Sequence, residues 1–414
     1  MMGPPVPAAL AGGEVRSPFM PERLADLVST VLVTAPEIRS SRALRGAADA
    51  ERDAARWLRF PSVSVNGNAF GVGSSQTFAS ELQVDQPIWA GGRIGAATKR
   101  AEASQALARA ELRQVRFTLA ETAVDLYFRA ASALARTAIL DDSIQQHVAL
   151  VDRIDRRVDA GISPVSDLAL AQSRTAQEQQ NRALAEAERR AAEARLAELL
   201  DDAGFALTAL PAYRPVYHPP ADGLFEGARL CDPQLDILRA QIDVAEAEAA
   251  VAQAEIMPQL SVQYSRSEVF GDRVGLALRA ASVGGLSPLS LASAARQRAE
   301  AGRIDILSRE RTLREEIAED LVANQTARVR IATGRDAVRL SERVRESYFR
   351  QYVAGRRTWL DLMNAVREAA SADLSRAEAE ITAIRTSSTL ALRSCQVIGF
   401  GLPGDLQPGD YEAE

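Results

Sequence analysis

The chain has 414 residues, of which 47% are apolar but only 5% aromatic, and it carries a net charge of −6. That length suits two or three ordinary domains or one very elongated one, and the alanine-rich apolar share favours close helix packing over a thick core. The acidic balance argues against a nucleic-acid partner, and the lack of an 18-residue uncharged apolar run argues against a transmembrane helix.

Residues 1–20, MMGPPVPAALAGGEVRSPFM, read as a disordered segment. They lack the basic start and apolar core of a complete signal peptide. PERLADLVSTVLV at 21–33 predicts a short helix with proline at its first position, and Pro36 opens another to about Phe60. The period then changes. PSVSVNGNAF at 61–70 alternates Val63, Val65 and Ala69 against Ser62, Ser64, Asn66 and Asn68. FASELQVDQPIW at 78–89 alternates Phe78, Leu82, Val84 and Ile88 against Glu81, Gln83 and Asp85. The two runs predict a hairpin with one apolar and one polar face.

A helical pattern follows from Arg93 to Asp159, breaks at Gly161 and resumes from Pro164 to about Asp201. Residues 203–226, rich in proline and glycine, predict a connector. Apolar positions 235, 238, 242, 245, 249, 252 and 256 then mark a coiled-coil seam. A second hairpin is expected over 258–280, with Leu260, Val262, Tyr264, Val274, Leu276 and Leu278 on its apolar side. The last helix pair is expected at about 291–353 and 357–398, broken at Gly355, before a flexible tail at 401–414.

Pro233 and Pro258 each stand 197 residues after Pro36 and Pro61. Asp167 follows Gly161 by 6 residues, as Asp361 follows Gly355. These offsets predict an internal two-fold repeat, 21–226 and 227–400, forming one elongated domain, with tip turns at 158–167 and 352–361. The expected 67-residue helix would span about 100 Å. Its length matches two shorter helices stacked end to end, as in a helical cylinder. The fold class expected is therefore mainly α with a small β part. Four strands cannot close a barrel, and open edges are forbidden in lipid, so three copies sharing twelve strands are the cheapest closure. Trp57, Phe60 and Trp89 would then form one aromatic girdle and Phe70, Phe78 and Phe270 the other. A soluble coiled-coil protein with β-tips is the alternative.

QPIWAGGR at 86–93, the two Gly-to-Asp turns and the duplication together resemble the TolC outer-membrane efflux family, over roughly 21–400. The resemblance implies a homotrimer with a shared outer-membrane β-barrel and a coiled-coil tunnel in the periplasm. Its partners would be a periplasmic adaptor and an inner-membrane ABC transporter or other pump. It also implies a tip latch in which Tyr352 and Arg357 bond across to Ser166 and Asp167. Asp361 matches a pore-narrowing acidic ring, while Asn364 replaces the aspartate the family often has at a second. Gly161, Ile162, Ser163, Gly355 and Arg356 would meet the adaptor. ARWLRFPSVSV, AASVGGLSPLS and YVAGRRTWLDLMNAVRE resemble the branch that secretes large adhesins by the type I route, with drug or metal efflux second. The alternative for both aspartates is a helix cap, since each follows a break, and it weighs more for Asp167 than for Asp361.

No P-loop, GxSxG or HExxH is present, so no enzyme, cofactor or metal site is expected. GVGSSQ at 71–76 reads as a hairpin tip, and His147 and His218 need no more than a surface role. Cys395 lies on an apolar seam that suits a packed thiol, and a bond to Cys231 stays open.

Overall fold

The computed structural model describes residues 15–72, 75–267, 271–280 and 285–397. The expected tail at 401–414, Phe270 and the side chains of Phe70 and Phe78 lie outside the described residues. Residues 15–20, expected in the unstructured start, are packed. Val15 and Met20 are buried, the Val15 N–H donates to Ser29 Oγ at 3.0 Å, and Ser387 Oγ donates to the Phe19 carbonyl at 3.0 Å.

In chain order the elements are α1 (Glu22–Thr34), α2 (Pro36–Trp57), β1 (Ser62–Val72), β2 (Ser75–Trp89), α3 (Arg93–Asp159) and α4 (Val165–Leu200). There follow α5 (Leu224–Cys231), α6 (Pro233–Glu255), β3 (Gln259–Ser267), β4 (Gly271–Arg279), α7 (Ser287–Val353) and α8 (Trp359–Arg393). The chain is mainly helical with one small antiparallel sheet. α3 matches the expected bounds; α8 stops at Arg393, short of the expected 398, because Cys395 turns into the left-handed region at φ 58°. α5 begins inside the expected connector, which ran to 226, and carries on into the second repeat. Eight residues are too few to show a helical period.

Local chemistry sets the boundaries. Asp232 caps α6, accepting the Leu235 N–H at 2.8 Å ahead of Pro233, and Arg309 holds its other oxygen at 2.6 Å. Between β2 and α3, Gly91 and Gly92 take φ 58° and 86°. A Cβ on Gly91 would collide with Met257 and the Pro258 carbonyl, so the AGG turn is needed twice over.

The sheet order is β1-β2-β3-β4, leaving β1 and β4 as edges. Register aligns Val63, Val84, Tyr264 and Val274 in one row and Ser64, Gln83, Ser265 and Arg273 in the next. The sheet is therefore two-faced, as the alternation demands. A bulge between Pro87 and Trp89 leaves Ile88 out of the pairing and sets Trp89 opposite Leu260. On the polar face Asp85 accepts from Ser261 Oγ at 3.2 Å and Gln263 Nε2 at 2.6 Å. Val63, Val65, Val274, Leu276 and Leu278 on the apolar face are all exposed.

The chain divides into two compact units, each drawn from both halves of the sequence: 1–36, 116–231 and 313–414 in one, 37–115 and 232–312 in the other. The second unit holds the sheet, α2 and α6. Its Trp57 and Phe60 rings lie 4.8 Å apart, and Trp57, Phe60 and Trp89 are exposed.

The first unit has a polar knot in its core. Asn324 of α7, buried, donates to the Ala383 carbonyl at 2.9 Å and to Thr386 Oγ1 at 3.0 Å, joining α7 to α8. At the end of α8, Arg393 reaches Glu121 of α3 at 3.1 Å and Asp320 of α7 at 3.0 Å. Cys231 and Cys395 are joined as a disulfide with Cα atoms 6.0 Å apart, within the range such a bond requires. Beside it Gly227 of α5 packs so tightly that a Cβ would lie 2.7 Å from the Ser394 carbonyl oxygen. His147 does not play the surface role expected of it. It is 2% exposed, with Nδ1 2.8 Å from the Ser143 carbonyl oxygen, on a helix face that the seam buries.

Candidate functional site

The two helix breaks lie in the first unit and share one geometry. α3 ends with Gly161 at φ 68°, and the Ile162 N–H reaches back to the Arg157 carbonyl at 2.8 Å. α7 ends with Gly355 at φ 71°, and the Arg356 N–H reaches the Gln351 carbonyl at 2.8 Å. Each is a six-to-one closure around a left-handed residue, which is why glycine stands at both positions.

The restarts differ. α4 begins after Pro164, which offers no side-chain acceptor, and Asp167 makes no capping bond there. α8 begins with a full capping box: Thr358 Oγ1 accepts the Asp361 N–H at 3.1 Å, and Asp361 Oδ2 accepts the Thr358 N–H at 3.4 Å. Asp361 is thus engaged at its helix start. The Thr358 hydroxyl, followed by the Thr358 N–H and the Arg357 charge, holds its carboxyl below the usual carboxylate range. A lowered value means that the cap favours folding above about pH 4 and that this contribution fades as pH falls through the lowered value. Asp361→Asn should therefore remove that part of the acid dependence of thermal unfolding, read as a flatter melting profile below pH 4.

Tyr352 is 8% exposed and packs among Leu150, Ile154, Ala171, Leu362, Met363 and Val366, with its hydroxyl lacking a hydrogen-bond partner among the described residues. Arg357 stacks on Tyr348 with 4.2 Å to the ring centroid, donates to Gln351 Oε1 at 3.3 Å and lies 3.8 Å from Asp361. No hydrogen bond or ion pair among the described residues joins either side chain to Ser166 or Asp167. Just beyond the turns, Arg174 Nη1 of α4 donates to Asn364 Oδ1 of α8 at 2.7 Å. Arg345 also bonds Gln146, and Arg153 covers Phe349 at 4.7 Å, both between α7 and α3. These arginine contacts were not foreseen, since they follow no periodic signal.

A cleft of about 350 Å³ opens among α3, α7 and α8, with Leu150, Phe349, Leu362 and Val366 as its apolar wall and Arg153 and Glu346 beside them. At the turn surface Gly161, Ile162, Gly355 and Arg356 are exposed, while Ser163 is half-buried and accepts from Arg157 Nε at 3.3 Å. Among the described residues no helix is long and apolar enough to cross a membrane.

Residues 27–201 match the family model described as outer membrane efflux protein. No curated protein matches the chain. Among solved structures, CusC, which forms a transmembrane channel, superposes with a TM-score of 0.79 at 15% identity, covering 92% of this chain and 93% of its own. The outer-membrane channel OprN gives 0.76 at 21% identity, covering 93% and 92%. The outer membrane protein VceC of Vibrio cholerae gives 0.77 at 16% identity, covering 90% and 96%. The chain has the fold of these three proteins over nearly its whole length.

Proposed function

We propose that this chain is one of three identical subunits of an outer-membrane export channel. The observation that carries the reading is the sheet. It has four antiparallel strands, an uncovered apolar face and two unpaired edges, β1 and β4. In lipid such edges must be paired, and three copies joined edge to edge give a twelve-strand barrel with a polar lumen. The apolar face also counts against a soluble scaffold, which would have no use for it.

The helices would then form a periplasmic tunnel. Paired lengths support a duplicated chain: 67 residues each for α3 and α7, 36 and 35 for α4 and α8, 22 and 23 for α2 and α6. Substrate would pass without chemistry in the channel, driven by an inner-membrane ABC transporter or other pump that joins the tips through a periplasmic adaptor. Gly161, Ile162, Ser163, Gly355 and Arg356 are the surface offered to that adaptor. The cargo reading is type I secretion of adhesins, on sequence resemblance. Drug or metal efflux is the second reading, favoured by the efflux description of the family matched over 27–201.

At the tip, Asp361 and Asn364 would narrow the pore. The Arg174 guanidinium on Asn364 offsets acidic charge there, so cations gain less from this ring than from two aspartates. Tyr352, Arg357, Ser166 and Asp167 would form the latch, with Arg357 bonding to a neighbouring copy and the Tyr352 hydroxyl turning out of its buried position to do the same. Tyr352→Phe with Arg357→Glu should raise single-channel conductance in planar bilayers several-fold. Unchanged conductance in folded trimers would remove these residues from the latch.

A further inference from the structure

A cavity in the first unit has no part in the channel reading. It is an open pocket of about 290 Å³ where residues 17–23, α3 and the connector meet. Two of its walls are Tyr127 of α3 and Tyr217 of the connector, 2% and 4% exposed. Neither hydroxyl makes a hydrogen bond among the described residues. Both rings are buried while their hydroxyls stay open to the solvent in the cavity, so each is a donor free to meet a ligand. Burial pushes both phenols above the usual tyrosine value, so each remains an O–H donor at neutral pH. Arg23 and Arg214 line the same cavity, one acting on the charge of Tyr127 and the other on that of Tyr217. Neither guanidinium is ion-paired among the described residues, and Glu22 is the only carboxylate in the lining.

We propose that this cavity is a binding site for a small anion presenting phosphate or carboxylate oxygens. The two phenols would donate to those oxygens, and Arg23 and Arg214 would balance the charge. Met20 and Leu210 in the wall leave room for a short apolar body on the ligand. The set is complementary in kind: donors and positive charge, with a single acidic side chain against them. Arg23 and Arg214 are both exposed, so water hydrates the guanidiniums until an anion displaces it.

The test is isothermal titration of the full-length protein in detergent with inorganic phosphate and, separately, with acetate, against chloride at matched ionic strength. Saturable binding of either probe is expected. It should weaken about tenfold or more in Tyr127→Phe/Tyr217→Phe, as charge-assisted hydrogen bonds are lost. It should vanish in Arg23→Gln/Arg214→Gln. The phenylalanine pair keeps the cavity's shape, and its unchanged melting in chloride would show that the fold is intact. Binding of phosphate alone would assign a phosphate-bearing ligand, and of acetate alone a carboxylate. Absence of saturable binding with both probes, or equal affinity in the phenylalanine pair, would overturn the proposal and leave a water-filled cavity.

Discussion

Arginine at both Val274 and Leu276 should prevent the protein from accumulating in the outer membrane. These side chains are 76% and 71% exposed on the apolar face of β4, aligned with Val84 and Tyr264 or with Val262 across the sheet. An arginine on the lipid face of a barrel costs about 2–4 kcal/mol at the bilayer midplane. Two in each of three copies would cost roughly 12–24 kcal/mol, as much as or more than the whole stability of an ordinary fold. Ser64→Arg, on the polar face and so lumenal, should leave the membrane yield near wild type. Fractionation followed by immunoblotting reads both. Equal recovery of the double arginine variant in the outer membrane would mean that the face does not meet lipid.

Removal of the Cys231–Cys395 bond has the second large effect. The cysteines stand 164 residues apart, so the bond closes a long loop in the unfolded chain. Chain entropy then predicts about 5 kcal/mol of stabilisation, in the loop-closure model. The bond also fastens α5 to the end of α8 beside Gly227 and two residues beyond the Arg393 ion cluster. Cys231→Ser/Cys395→Ser should lower the melting temperature by several degrees and make the connector at 203–226 more open to proteolysis. The tip bond from Arg174 to Asn364 should survive, since it depends on none of these contacts. An unchanged melting temperature, with no protease nicking in the connector, would show that the bond carries no load.

Most of the fold could be read because its signals are periodic. The 67 residues of α3 and the alternation of β3 and β4 repeat one pattern many times, and glycine followed by proline or aspartate punctuates them. What escaped depends on contacts between distant residues. Sequence could not say that Cys231 reaches Cys395, because pairing is a matter of Cα separation in the folded chain. It could not show that β2 bulges between Pro87 and Trp89, which sets Trp89 opposite Leu260. Nor could it show that Asn364 accepts from Arg174, since a surface arginine has several candidate partners within reach. Tyr352 and Asp361 are the instructive pair. Both were assigned from resemblance, yet within one chain the tyrosine is packed with an unpartnered hydroxyl and the aspartate caps α8. Their proposed roles belong to the assembly, and would need the buried tyrosine hydroxyl to be freed.

The central claim is that three copies close the sheet edges in the outer membrane. Native mass spectrometry of the full-length protein, extracted from outer membranes in detergent, tests it most directly. The account predicts a single species of three 44.6 kDa chains that resists dissociation until the barrel unfolds. Recovery of the protein as a single chain in the soluble fraction would contradict it.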